Sequence, residues 1–146
     1  MQDNEGEIVV GVDGSASSVD ALRWALRQAA RTGDHVKAVI AWDYPNMYGY
    51  PLTEDVDWEA AAGQTLDEAV QQAAGTDHPA VTSAVMRGNP TQVLVQAAAG
   101  AELLVVGNRG HGGFTEMLLG SVSSHVVAHA TCPVLVVRHH QDASQG

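Results

Sequence analysis

A single cysteine, Cys132, excludes an intramolecular disulfide, so the fold must stand on its hydrophobic core. It also suits a reducing compartment. Basic residues are scarce: 7 Lys and Arg face 17 Asp and Glu, for a net charge of −10. A field of that sign opposes nucleic acid and anionic membrane surfaces, and it leaves any anionic ligand to be held by local groups. No apolar run approaches the roughly 18 residues of a transmembrane helix. The opening "MQDNEGEIVVGVDGS" lacks the basic and apolar regions of a secretory signal. A soluble, cytoplasmic chain is expected, with neither a membrane nor a nucleic-acid partner.

Several chemical signatures are missing too. There is no Walker A loop, no dinucleotide G-x-G-x-x-G, no G-x-S-x-G nucleophile elbow, and no Cys/His set at zinc spacing. His125 and His129 lie four apart on one expected helix. Without a third ligand nearby they read as surface histidines, so no metal site is assigned.

What is present is 45 % hydrophobic residues in 146, enough for one domain with a sizeable core. That domain is expected to span residues 1–146, with its core at about 6–138 and a tail at 139–146. β-branched apolar runs at 7–13, 35–42, 80–88, 102–107 and 133–137 read as strands buried in a sheet. Between them lie helical patterns. One follows Ser15 as N-cap and stops at Gly33. A long acidic one covers 53–75, with Gly63 as a weak point. A third starts at Pro90 and ends at Gly100, and a fourth covers 121–130. Residues 43–52 read as a loop. Strand and helix alternate four times and close on a strand. With right-handed crossovers this is a single doubly wound, Rossmann-like α/β sheet of five parallel strands with helices on both faces.

In such sheets ligands bind beyond the carboxyl ends of the strands, where the strand order reverses. After the fourth strand the chain reads "GNRGHGGF", with four glycines in seven residues, and a fourth helix opens at Gly120-Ser121-Val122-Ser123. The first N–H groups of a helix lack internal partners and carry the positive end of its dipole. Gly107 and Gly110 let the preceding loop turn its own N–H groups inward as an anion nest. Ser121 and Ser123 add hydroxyls. This is a cradle suited to phosphates without a lysine.

The stretches "IVVGVDGS", "ELLVVGNRGHGGF" and "LLGSVSSHVVAHATCPVLVV" resemble the universal stress protein family, in its ATP-binding branch. The family's G-x2-G-x9-G-[ST] motif is met in full by Gly107, Gly110, Gly120 and Ser121. The resemblance implies a flavodoxin-like strand order of 3-2-1-4-5 and an ATP crevice between strands one and four. It places the triphosphate on the loop Gly107, Asn108, Arg109, Gly110, His111, Gly112 and Gly113 and on Ser121, Val122 and Ser123. Asp13 would hold the ribose, Gly11 would let the nucleotide approach strand one, and backbone near Trp42 would hold the adenine. Local alternatives stand beside these roles. Asp13 also fits an Asx turn, Arg109 a solvated surface, and Trp42 ordinary core. Mg²⁺ would arrive with the ATP. The strand order makes Pro133–Val137 an apolar edge suited to homodimer pairing. A nucleotide-dependent stress-response module is expected, with no catalytic residue assigned. A slow ATP hydrolase or phosphotransferase and a nucleotide-free dimeric interaction protein are the alternatives.

Overall fold

The structure is a computed structural model, and it describes residues 6–44, 56–75, 81–109 and 120–139. Its strands are β1 (Glu7–Gly11), β2 (His35–Trp42), β3 (Val81–Arg87), β4 (Leu103–Gly107) and β5 (Val134–Val137). Its helices are α1 (Ala16–Thr32), α2 (Trp58–Ala74), α3 (Pro90–Ala97) and α4 (Ser121–His129). All four strand pairings are parallel, in the order β3-β2-β1-β4-β5. β1 is central, with Val9 beside Lys37 of β2 and Leu104 of β4. The order reverses beside β1: the chain steps outward from β1 to β3, then crosses back to place β4 on the other side.

Strand parity divides the core in two. Ile8, Val10 and Val12 of the β1 segment pack with Val36, Ala38, Ile40 and Val105 under α1 and α2. Val9, Val39, Leu104 and Val106 face the other way, under α3 and α4. Leu22 of α1 and Leu66 of α2 are fully buried on the first face. Removing such side chains from water contributes about 1.5–3 kcal/mol each. Both sides of the sheet are therefore covered, which is why β1 and β4 read as continuous apolar runs rather than alternating ones.

Local chemistry sets the helix boundaries. Ser15 Oγ accepts from Ser18 N to start α1, and Gly33 ends it in the left-handed region at φ 83°. Asp57 Oδ1 accepts from Ala60 N, so α2 begins at Trp58 rather than at 53, and it runs unbroken through Gly63. Asn89 Oδ1 accepts from Thr91 N and Gln92 N ahead of Pro90 in α3. That helix stops at Ala97, before Gly100.

Candidate functional site

At their carboxyl ends β1 and β4 both finish on glycine, and the two glycines act on opposite faces of the sheet. A Cβ on Gly11 would lie 2.7 Å from Leu94 Cδ1 of α3. A Cβ on Gly107 would strike Ser17 Oγ and would lie 2.7 Å from the Ser17 carbonyl carbon of α1. The Leu94 methyl is the tip of a flexible chain, whereas the Ser17 contact is with backbone. Gly107 is thus the place where the start of α1 seats on β4. Beyond this seam lies an open cleft of about 580 Å³, solvent included. Gly11, Val12 and Asp13 line it from the β1 end, and Val39 and Ala41 from β2. Ser18 of α1, Pro90 and Leu94 of α3, Val106 and Gly107 at the end of β4, Arg109 after it, and Val122 and Ser123 of α4 complete the wall.

The α1 side of the cleft is braced by hydroxyls. Ser17 Oγ donates to the Arg109 carbonyl at 2.8 Å, and Ser15 Oγ reaches the same oxygen at 3.3 Å. Asp13 Oδ1 accepts from Ser15 N at 2.9 Å, the Asx geometry its position allows. The Asp13 residue is nonetheless exposed and lines the cleft. Arg109 is the one cation and Asp13 the one acid among the described lining residues.

The α4 side is held by backbone. Asn108 is buried; its N–H donates to Val137 O at 2.9 Å and its carbonyl accepts from Gly120 N at 2.6 Å. Its side-chain Oδ1 accepts from His139 N at 3.3 Å. One residue therefore ties β4, β5 and the N-cap of α4 together. Ser123 Oγ donates to the Gly107 carbonyl and pins the first turn of α4 to the end of β4. Gly120 is the N-cap of α4, in extended backbone, and supplies no capping side chain.

The structure brings Gly11, Asp13, Gly107, Arg109, Val122 and Ser123 to one cleft, with Gly120 and Ser121 at the start of the helix that borders it. Asn108 is beside the cleft with its side-chain oxygen directed to His139 N. Gly110, His111, Gly112 and Gly113 lie outside the described residues.

Trp42 is not brought there. Strand alternation turns its ring to the α1/α2 face, and Ala41, one residue earlier, lines the cleft instead. The Trp42 carbonyl accepts from Gly88 N at 2.8 Å. Its ring meets Tyr44 edge-on at 5.3 Å, and the Arg87 guanidinium lies over both rings. The Tyr44 N–H, and then the Arg87 side chain, hold the Asp43 carboxyl below its ordinary range.

Sequence reasoning missed Val12, Ser18, Val39, Ala41, Pro90, Leu94 and Val106 as lining residues, and Ser17 as the support of the Arg109 carbonyl. The parity of β2 was a usable signal for Val39 and Ala41. Nothing local marks Ser17, because its contact spans 92 residues of chain.

Residues 6–138 match the model of the universal stress protein family. A universal stress protein of Mycobacterium tuberculosis strain H37Rv is 35% identical over 138 residues, which cover 92% of this chain and 46% of that protein. One from Mycolicibacterium smegmatis is 37% identical over 144 residues, covering 93% and 47%. The chain thus spans about half the length of the curated relatives it matches. Among solved structures, universal stress protein UspA from Lactobacillus plantarum superposes with a TM-score of 0.72 at 26% identity, covering 90% of this chain and 97% of that one. A universal stress protein in complex with cAMP superposes at 0.68 with 30% identity, covering 92% and 97%.

Proposed function

The chain belongs to the universal stress protein family, and from that premise we propose that it is an ATP-binding member, a nucleotide-dependent regulatory module. The observation that carries this reading is the start of α4. That helix opens beside the cleft on Gly120, without a capping side chain, while Asn108 and Ser123 fix its first turn against β4. A fixed helix N-terminus whose first turn lines a cleft is a ready site for phosphate. The slot between Gly11, Val39, Ala41 and Leu94 is small and apolar, as a flat base requires. The similar protein in complex with cAMP supports a nucleotide as the ligand class.

In this reading the phosphates lie on Gly120, Ser121, Val122 and Ser123 and on the loop Gly107–Gly113, with Arg109 beside the charge. Asp13 takes the ribose by exchanging its contact with Ser15 N for sugar hydroxyls. Mg²⁺ neutralises the phosphates and keeps mostly water ligands. Binding with at most slow hydrolysis is expected, because fast phosphoryl transfer needs a positioned nucleophile and several cations on the developing charge. The working form is a cytoplasmic homodimer of one domain with its core at 6–138. β5 is the pairing edge: among the described residues it bonds to β4 on one side only, and its four residues are half-buried.

The test is to denature the purified chain, identify the released nucleotide by chromatography and ultraviolet absorbance, and titrate the stripped protein with ATP and with cAMP. ATP release and saturable ATP binding with Mg²⁺ are expected. Binding of cAMP alone would correct the ligand, and binding of neither would leave the dimeric interaction protein.

A further inference from the structure

A second cleft lies between α3 and α4. Thr91, Gln92 and Gln96 of α3 face it, together with His125 and His129 of α4. The two histidines are one turn apart on one helix face and both are exposed. We propose that His125 and His129 form a binding site for a late first-row divalent cation, of the class of Zn²⁺, Ni²⁺ or Cu²⁺.

Three observations carry this. Two histidines at i and i+4 on one helical face are the spacing with which zinc-binding helices present paired imidazoles. Both side chains line the same cleft, so they share a space that a cation can enter. His129 is the last residue of α4, where the negative end of the helix dipole favours a cation.

The donor set selects the metal. Imidazole suits zinc, copper and nickel, whereas magnesium and calcium need carboxylate-rich shells, and no Asp or Glu is among the described residues lining this cleft. Among the described residues no third His, Cys, Asp or Glu completes a cluster. Water and the α3 amide oxygens then fill the remaining positions. The residue after His125 is Val126, fully buried in the core, where metalloprotease helices carry a glutamate base. The site therefore binds and does not hydrolyse. It stands independently of the nucleotide reading.

The probe is Ni²⁺ alone, titrated by calorimetry into the full chain, with thermal melts in parallel. His125→Ala, His129→Ala and a tail variant carrying His139→Ala with His140→Ala are compared with wild type. Both α4 side chains are exposed, so folded variants are expected, and circular dichroism checks this. Wild type and the tail variant should bind Ni²⁺ and melt higher with it. Each α4 variant should bind at least about tenfold more weakly, or roughly 1.4 kcal/mol. The proposal is overturned if wild type shows no saturable binding up to about 1 mM, if both α4 variants bind as wild type does, or if only the tail variant loses the metal.

Discussion

Helices α1 and α4 begin at the same cleft and begin differently. α1 starts on Ser15, whose Oγ accepts from Ser18 N, with the Ser18 hydroxyl returning a bond to the Ser15 carbonyl. The positive end of that helix is satisfied from within. α4 starts on Gly120, which has no side chain to turn back, yet its backbone is held as firmly, through Asn108 O and through Ser123 to Gly107. The difference separates two uses of one motif. A self-capped helix end stabilises the fold, and an uncapped but immobilised one leaves its donors for something else. α2 and α3, capped by Asp57 and Asn89, side with α1.

Gly107→Ala should break the comparison most severely. Its Cβ would strike the Ser17 backbone, on which the start of α1 rests, and overpacking of this kind costs about 1–3 kcal/mol or more. Urea denaturation checks this against Gly11→Ala, which meets only side-chain methyls, of Leu94 and of Val106, and should cost less. Next, Ser15→Ala should lose about 1 kcal/mol in the same assay, because it removes a cap. Gly120→Ala should cost somewhat less, about 0.5–1 kcal/mol, because glycine ranks well above alanine at an N-cap although no side-chain cap bond is lost.

The smallest effect lies beyond the other end of α4. Burial raises the pKa of the Cys132 thiol above its ordinary 9.0. Its neutral form is then favoured by folding. This contribution is fully present below the unfolded thiol's pKa and fades as the pH rises from there through the folded value. Alkylation by iodoacetamide near neutral pH should accordingly be slower in the native chain than in the urea-unfolded chain. Equal rates would show that the thiol is not shielded.

Much of the fold was legible in the sequence because its signals are local. The β-branched runs marked all five strands to within a residue or two at most ends, and Ser15, Gly33 and Pro90 marked helix ends by their own chemistry. The start of α2 was placed too early because the acidic, helix-compatible residues from 53 obscured Asp57, the residue that caps it. For the site, the glycine spacing points to the end of β4, where Gly107 lines the cleft. The spacing does not show a second use of Gly107, whose missing Cβ admits the start of α1 against β4. Contacts between distant segments, such as Ser17 with Arg109 or Asn108 with His139, leave no periodic trace. The Trp42 ring faces away from the cleft that Ala41 lines, because a shift of one residue along a strand moves a side chain to the opposite face.

Gly120→Asp tests the central claim most directly. An aspartate is a preferred N-cap and Gly120 already has extended backbone, at φ −72° and ψ 170°, so the variant should fold and melt no lower than wild type. The same carboxylate would stand where phosphate is proposed to bind. Like charges about 4 Å apart repel by roughly 4 kcal/mol at an effective dielectric of 20, an upper range of about a thousandfold in affinity. Calorimetric titration of both proteins with ATP and Mg²⁺ should therefore show strong loss of binding in a variant of undiminished stability. Equal ATP affinity in two folded proteins would contradict the assignment of the α4 N-terminus to phosphate.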